Sequence, residues 1–278
     1  MVTLFKERTD ECYQQLGLRM NPFTSTPDTR FFYSSKQHTR ALKHMKYGSA
    51  NASVSVITGN IGTGKTLLCR TFLRKMEAEA ATAYIFNPLQ DEQGFLRNIY
   101  HDLGGRDNIK RSLGQWYKAI NHLVITHAKQ GRRSIILVDE AHHMSIRALE
   151  TLRLLTNLET ERRKLLTIIL VGQRELEKKL EIDSLSALVQ RISVQMTLKR
   201  LSQKETIDYV KFRLSVAGAR TPLFSPTALK LLAMLSKGVP RVINKISERA
   251  LLAIYIKEEL QAGTRDILVS YNETRQTR

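Results

Sequence analysis

One eight-residue segment, residues 59–66, constrains the fold of this chain more than any other part of its sequence. It reads G-N-I-G-T-G-K-T and matches the pattern G-x-x-x-x-G-K-[ST]. Glycines let the backbone of such a segment curl with its N–H groups pointing inward, where they can surround phosphate groups. Residues 53–58 form a β-rich alternating run before it, and residues 67–73 continue as a helix. The sequence therefore predicts the strand, loop and helix of a phosphate-binding loop.

The side chains at the end of this loop add to the recognition of a triphosphate. Lys65 would reach the β- and γ-phosphates, and the Thr66 hydroxyl would bind Mg²⁺. The residues that we assign to nucleotide binding here are Gly59, Asn60, Ile61, Gly62, Thr63, Gly64, Lys65, Thr66 and Leu67. The loop alone leaves open whether the chain is a kinase, a GTPase, a helicase or a subunit motor.

Apolar runs alternate with helical stretches from residue 36 to about residue 198. In several of these runs Ile, Leu and Val follow one another without a polar residue at every second position. Such runs indicate strands that are covered on both faces. Besides the first strand, the predicted strands are 82–86, 134–138, 165–171 and 192–198. Besides the helix after the phosphate loop, the predicted helices are 36–48, 91–103, 113–130 and 145–158. We therefore predict an α/β fold with a parallel five-stranded sheet between helices.

From about residue 202 the strand pattern fades and the chain reads as helical. Helical periods at 202–216, 226–236 and 240–259 are separated by Pro222, Pro226 and the Gly238–Pro240 turn. We predict three parts: an N-terminal segment with its first helix (1–50), an α/β nucleotide-binding domain (51–200) and a small all-helical lid domain (201–278).

An acidic pair follows the third predicted strand, at the strand end where α/β sheets place their ligands. We expect Asp139 to order Mg²⁺, directly or through water, and Glu140 to polarise the attacking water. Residues 139–142 also spell the D-E-A-H tetrad of one helicase class. A two-domain helicase core would need a second domain of the same kind, whereas the chain after residue 200 reads as helical. We therefore interpret His142 and His143 as polar residues at the entry to a helix.

Polar side chains also end two other predicted strands. Gln173 follows the fourth strand and could touch the γ-phosphate or the attacking water. Asn87 follows the second strand and could hydrogen-bond to Glu140, holding it back until a partner binds. The alternative for both residues is plain capping of a strand end.

Two arginines complete the pattern. Phosphoryl transfer spreads charge over the γ-phosphate oxygens, and an arginine offered from another body stabilises that charge. We predict that Arg191, before the fifth strand, reaches into the nucleotide site of a neighbouring subunit. Arg241, in the Gly238–Arg241 turn, would contact the same nucleotide from its own lid. In so basic a chain, a surface role is the alternative for each.

The charge balance is the outlier of the composition. Lysine and arginine number 44 against 26 acidic residues, a net charge of +18. Such a field attracts nucleic acid or an anionic membrane surface, although a solvated basic surface without a partner is the alternative. No apolar run approaches the roughly 18 residues that span a bilayer, and residues 1–8 lack a signal peptide's apolar stretch. With only Cys12 and Cys69, no disulfide framework is expected, and we predict a cytoplasmic location.

Together these motifs resemble those of the AAA+ ATPases, and within them the ExeA/GspA family. The segments that carry the narrower resemblance are 21–23, 26–33, 37–38, 152–160 and 171–176. Residues 214–218 and 223–226 fit the MshM-type subgroup, which serves mannose-sensitive haemagglutinin (MSHA) pilus biogenesis. The resemblance covers nearly the whole chain, from about residue 20 to 260.

The resemblance implies a homo-oligomeric ATPase that uses ATP and Mg²⁺ at subunit interfaces. It also implies that Asn21, Pro22 and Phe23 approach the adenine, with the helix from Gln37; for Phe23, a place in the core is an equal alternative. The implied role is assembly of a type IV, MSHA-like pilus or a secretion system, with partner proteins at the inner membrane.

Two departures limit the resemblance. ExeA-type proteins carry a membrane span and a peptidoglycan-binding region after the ATPase, so we expect this chain to reach the envelope through partners. Its charge also exceeds what the family suggests. Two rival functions follow: a DNA-dependent AAA+ regulator of the transposition type, and an ATP-locked scaffold with little turnover.

Overall fold

The computed structural model describes residues 11–86, 88, 91–106, 111–159 and 164–276. These residues form two compact units. The α/β unit comprises Lys36–Ile61 and Lys65–Leu198. The helical unit comprises Met1–Ser35, Gly62–Gly64 and Lys199–Arg278, within the described residues. The division differs from the predicted one on the N-terminal side, because the first helix groups with the α/β unit and the residues before it group with the helical unit.

The α/β unit is built on one parallel sheet of five strands. The strands are β1 (Val54–Gly59), β2 (Ala80–Ile85), β3 (Arg133–Val138), β4 (Leu166–Gly172) and β5 (Ile192–Leu198). Their order across the sheet is β2-β3-β4-β1-β5, with every neighbouring pair parallel. Every residue of β1 and β4 is buried, as expected for strands covered on both faces. The predicted α/β fold with a parallel five-stranded sheet is confirmed.

Helices cover both sides of this sheet. They are α1 (Lys36–Asn51), α2 (Lys65–Met76), α3 (Glu92–Asp102), α4 (Leu113–Lys129), α5 (Ile146–Leu155), α6 (Glu175–Leu180) and α7 (Ser186–Val189). α1 packs on β5, β4 and β1, while α3 packs on β2 and α4. The Thr167 hydroxyl of β4 donates a hydrogen bond to the Ala52 carbonyl at 3.1 Å, just beyond α1. This packing explains why the first helix belongs to the α/β unit.

The helical unit has its own hydrophobic core. Its helices are α8 (Gln203–Val216), α9 (Pro226–Ser236), α10 (Pro240–Ile256) and α11 (Thr264–Gln276). α10 packs against α11 and α9. The N-terminal segment joins this core through Phe23 and Phe31, which are 1% and 2% exposed. Burial of these two rings ties the residues before Ser35 to the helical unit rather than to α1.

The sequence did not predict three of the described helices, namely α6, α7 and α11. In α11 the buried positions include Asp266, Ser270 and Thr274 as well as Ile267. Polar residues on the buried face hide the apolar period from which a helix is recognised. The helix α6 has six residues and α7 has four, which is too short for such a period to show.

Candidate functional site

The phosphate-loop sequence bridges the end of β1 and the start of α2. Gly62 and Gly64 have φ angles of 77° and 93°, a left-handed conformation that glycine adopts without strain. α2 begins at Lys65, so its N-terminal N–H groups and positive dipole end follow the loop directly. The predicted strand, loop and helix are therefore present.

Lys65 is a buried amine at the start of α2. Lys65 is only 5% exposed. Its Nζ donates hydrogen bonds to the backbone carbonyls of Gly59 at 3.0 Å and of Asn60 at 3.2 Å. Burial lowers its pKa, while the charges of Glu140 and Asp139 act in the opposite direction. The carbonyls that accept from this ammonium group are neutral and do not balance its positive charge. Phosphate oxygens would supply the balancing negative charge.

Asp139 is a fully buried carboxylate at the end of β3. It accepts hydrogen bonds from the Tyr84 hydroxyl at 3.2 Å, from the Glu140 N–H at 2.9 Å and from the Thr66 side chain. Burial is the largest influence and raises its pKa, although these hydrogen bonds partly offset the effect. Thr66 and Asp139 are thus in contact, and oxygen ligands of this kind suit Mg²⁺.

Tyr84 is a site residue that the sequence did not reveal. It lies on β2, opposite Leu137 of β3 in the strand register. Burial is the largest cause that raises the pKa of its hydroxyl, followed by the charge of Asp139. The neutral Tyr84 hydroxyl donates a hydrogen bond to the Asp139 carboxylate and thereby fixes the orientation of that carboxylate. Only the pairing of β2 with β3 brings the two residues together.

Glu140 follows Asp139 in a left-handed backbone conformation, with a φ of 51°. This conformation is uncommon for a residue with a side chain. The Glu140 Oε2 lies 3.3 Å from the Nδ1 of His142. The pKa of His142 is lowered chiefly by burial, then by His143. The histidine that sequence reasoning set aside therefore lies against Glu140.

The loop after β3 is fixed to the end of β4. The Gln173 N–H contacts the His142 Nδ1 at 3.4 Å. Lys179 of α6 donates to the carbonyls of His142 and Met144, both at 2.6 Å. No local pattern in the sequence indicated these contacts of Lys179. β4 lies between β3 and β1 in the sheet, which brings Gln173 to the strand ends that carry Glu140 and the phosphate loop.

Asn87, the residue that was predicted to restrain Glu140, lies outside the described residues. Arg191 is described, immediately before β5. Its Nη1 donates a hydrogen bond to the Thr156 Oγ1 at 2.5 Å, at the end of α5. Arg191 is therefore held by a buried threonine of its own chain.

Arg241 lies at the start of α10 in the helical unit, which also includes Gly62–Gly64. The Arg241 N–H contacts the Gly62 carbonyl at 3.3 Å. A Cβ atom on Gly62 would lie 2.8 Å from the Arg241 Cβ, which is too close for a real contact. Gly62 is therefore required both for its backbone conformation and for the approach of Arg241.

The three N-terminal residues that were assigned to the adenine lie in the helical unit. The Asn21 Nδ2 donates to the Glu248 Oε1 at 2.6 Å, and the Pro22 carbonyl accepts from Arg213 Nε. Phe23 is buried, and its ring meets that of Phe224 edge to face at 6.2 Å. The structure thus places Phe23 in the core, which was one of its two expected positions.

The residues present fit a magnesium–nucleotide complex. The buried Lys65 lies at the start of α2, after β1, and the buried Asp139 carboxylate follows β3 and contacts Thr66, the next residue of α2. When bound, Mg²⁺ would offset the charge of the phosphates, with Thr66 and Asp139 as its protein ligands. Within the described part of the chain, no helix is both long and apolar enough to cross a membrane.

Comparison with known proteins agrees with this geometry. Residues 49–180 match the family model of an AAA domain. General secretion pathway protein A of Aeromonas hydrophila is 40% identical over 245 residues, which are 88% of this chain and 45% of that protein. ATP-dependent target DNA activator B of Escherichia phage Mu is 24% identical over 149 residues, which are 54% of this chain and 46% of the activator. The chain thus spans less than half the length of these relatives.

Solved structures share the fold at low sequence identity. Cdc6p from Pyrobaculum aerophilum superposes with a TM-score of 0.68 at 17% identity, covering 91% of this chain and 70% of that one. The RuvB Holliday junction branch migration motor of Thermotoga maritima gives 0.60 at 16% identity, covering 86% and 69%. The parallel sheet, the phosphate loop and the acidic strand end form an AAA+ P-loop fold, and the chain is similar in sequence to General secretion pathway protein A.

Proposed function

We propose that the chain hydrolyses ATP at the interface between identical subunits and thereby drives assembly of a type IV, MSHA-like pilus or a secretion system. The observation that carries this proposal is the arrangement of Lys65, the Thr66–Asp139 pair and Glu140 at the same edge of the sheet, where the charges of Glu140 and Asp139 act on Lys65. The 40% identity to General secretion pathway protein A supports the secretion-related role.

In this proposal each described residue has a separate task. Lys65 exchanges its carbonyl partners for phosphate oxygens, and the loop N–H groups hold the remaining phosphates. Glu140 accepts a hydrogen bond from the attacking water, while Gln173 orients that water or the γ-phosphate from the next strand end. Arg241 contacts the nucleotide from the helical unit, where Asn21, Pro22 and Phe23 support the segment beside the base.

Arg191 would supply positive charge to the site of a neighbouring subunit. To do so it would exchange its hydrogen bond to Thr156 for one to a phosphate oxygen of the neighbour's nucleotide. We expect partner proteins at the inner membrane and a cytoplasmic location for the ATPase itself.

The test is the ATPase rate per subunit against protein concentration. A trans arginine requires the rate to rise with concentration and to fall at least about 10³-fold in Arg191→Ala. Thr156→Val, which removes only the hydroxyl partner, serves as the matched control and should keep the concentration dependence. A rate that is independent of concentration and unchanged by Arg191→Ala would reject the interface model.

The Glu140→Gln variant distinguishes a scaffold that only binds ATP from an enzyme that hydrolyses it. The substitution keeps the size of the side chain but removes its capacity to polarise water. Retention of assembly activity in cells by Glu140→Gln, together with unchanged slow turnover, would favour a scaffold that only binds ATP. Loss of both would favour hydrolysis as the mechanism.

A DNA-dependent ATPase is the second candidate, favoured by the net charge of +18 and by the relationship to the phage Mu activator. It predicts stimulation of ATP hydrolysis by duplex DNA. It also predicts that the logarithm of the DNA-binding constant falls linearly with the logarithm of the salt concentration. Anionic vesicles tested in parallel distinguish a DNA surface from a general affinity for polyanions.

A further inference from the structure

Three side chains beside Asp139 form a cluster that the proposed hydrolysis uses only in part. Glu140, His142 and His143 each offer one ligand atom, and these atoms all lie within 4.8 Å of one another. Glu140 has a role in the proposed function, whereas the two imidazoles have none. Two imidazoles and a carboxylate form a donor set that Zn²⁺ and similar transition metals bind well.

One pair in this cluster brings a carboxylate oxygen and an imidazole nitrogen together. The Glu140 Oε2 is buried and makes no hydrogen bond to any described residue. It lies 3.3 Å from the His142 Nδ1, which also faces the Gln173 N–H. A carboxylate oxygen and an imidazole nitrogen at this distance share a positive centre, which is either a proton or a metal ion. Two ligands of a tetrahedral Zn²⁺, with bonds of about 2.0–2.1 Å, are themselves roughly 3.4 Å apart.

The weak contact of Gln173 does not prevent metal binding at this nitrogen. At 3.4 Å it is longer than an ordinary N–H···acceptor hydrogen bond. A metal that takes the His142 lone pair therefore displaces little.

The backbone holds the three ligands on one rigid turn. The His143 N–H donates to the Glu140 carbonyl at 2.9 Å, and Lys179 donates to the carbonyls of His142 and Met144. Ala141 and Met144, on either side of the histidines, are both fully buried. Little conformational entropy remains to be lost by the turn when its side chains bind one ion.

His143 is the exposed member and gives the cluster access to solvent. Its ring lies 4.0 Å from that of His142, measured between centroids. To bind one ion, the ligand atoms must come from within 4.8 Å to roughly 3.4 Å of one another. Rotation of the exposed His143 side chain provides this movement.

We propose that Glu140, His142 and His143 form a binding site for a divalent transition metal of the Zn²⁺ class, and that the bound metal inhibits ATP hydrolysis. The site is distinct from the Mg²⁺ site, because Mg²⁺ prefers oxygen ligands and Thr66 and Asp139 provide them. Inhibition follows because a carboxylate that ligates a metal no longer polarises water. The inhibitory part rests on the proposed function, whereas metal binding does not.

Binding is tested with Co²⁺ on the full chain, without a histidine tag and without nucleotide. Co²⁺ should show the intense visible absorption of a tetrahedral site. His143→Ala should weaken Co²⁺ binding at least about tenfold, since even the loss of a ligand's hydrogen-bond partner costs 10–100-fold. His143→Cys should restore binding with a shifted absorption, and His122→Ala, which removes an exposed histidine of α4, should bind as the unaltered protein does. Equal binding by the unaltered protein and by His143→Ala would overturn the site.

Inhibition is tested by the ratio of the ATPase rates with and without micromolar Zn²⁺ in excess Mg²⁺–ATP. The ratio should fall sharply for the unaltered protein and for His122→Ala, and should stay near one for His143→Ala. Because Zn²⁺ bound to ATP would affect all three proteins alike, the comparison isolates the site. Binding without a difference in this ratio would overturn the inhibitory role. A protein that hydrolyses no ATP would refute the proposed function, while the Co²⁺ spectrum would still decide the metal site.

Discussion

At the residue scale, Asp139 is a fully buried carboxylate whose surroundings disfavour its ionised form. Its pKa is raised chiefly by burial. A carboxyl group with a raised folded-state pKa contributes stability at low pH and loses that contribution as the pH rises through the folded pKa. At neutral pH the charge is therefore a cost to the nucleotide-free protein, which bound Mg²⁺ would offset.

We predict that Asp139→Asn raises the melting temperature of the nucleotide-free protein at pH 7 and abolishes ATP hydrolysis. The variant removes a buried charge and with it the metal ligand. The measurement is thermal unfolding in a chelating buffer, together with an ATPase assay. The gain in melting temperature should shrink as the pH falls toward the ordinary aspartate pKa of about 3.9. A variant that is less stable at pH 7 would contradict this account.

Tyr84 acts on the same carboxylate through a hydrogen bond rather than through charge. We predict that Tyr84→Phe lowers the free energy of unfolding by about 1 kcal/mol. It should also raise the Mg²⁺ concentration for half-maximal ATPase activity severalfold, because Asp139 loses the partner that orients it. Both quantities are measured by denaturant unfolding and Mg²⁺ titration.

Tyr117→Phe is the matched control for Tyr84→Phe. The Tyr117 hydroxyl donates to the Thr151 carbonyl at 3.3 Å, away from Asp139. This control should lose similar stability while its Mg²⁺ titration stays unchanged. If both variants shift the Mg²⁺ titration equally, the effect is one of general stability and not of Asp139.

At the scale of elements, the phosphate loop depends on glycine for two separate reasons. Gly62 has a φ of 77°, and a Cβ there would also meet Arg241 at 2.8 Å. Gly17 has a similar φ of 73°, but a Cβ there would meet nothing within 4 Å. The two positions therefore separate the cost of the backbone conformation from that of the contact.

We predict that Gly17→Ala lowers the free energy of unfolding by about 1 kcal/mol, the cost of a left-handed alanine. Gly62→Ala should cost more than this and should also weaken nucleotide binding, because the loop must move to relieve the contact. Denaturant unfolding and titration with a fluorescent ATP analogue measure the two effects. Equal losses of stability in the two variants would show that Arg241 simply moves aside.

The elements themselves were well predicted where an apolar period marks them. The fifth strand, 192–198, has the predicted bounds, and α9 spans 226–236 as predicted. The helix α11 was missed because its buried face is partly polar. The role of Phe23 stayed open because an aromatic residue beside Pro22 suits a core and a base-binding surface equally well.

At the scale of the whole molecule, a net charge of +18 makes the folded chain repel itself. We predict that raising NaCl from about 10 mM to 150 mM stabilises the nucleotide-free protein by about 1 kcal/mol, because the Debye length shortens from roughly 30 Å to 8 Å. Differential scanning calorimetry measures the effect as a rise of a few degrees in melting temperature.

KCl at the same ionic strength should give the same rise in melting temperature. A larger rise in phosphate would indicate that an anion binds at a defined site, as a phosphate loop allows. A melting temperature that falls with NaCl would contradict self-repulsion as the dominant effect and would point to stabilising ion pairs on the surface.

The sequence by itself determined the fold class and located the phosphate-loop motif. Both are local properties: the loop is contiguous in the chain, and unbroken apolar runs indicate parallel strands covered on both faces. Asp139 and Glu140 were also recognisable, because their position directly after such a run is a sequence property. Only the tertiary structure decided which distant side chains meet them. Tyr84 and Lys179 reach this site through the pairing of β2 with β3 and the place of β4 beside β3. Strand order depends on how non-adjacent segments pack, and no local pattern of residues encodes it.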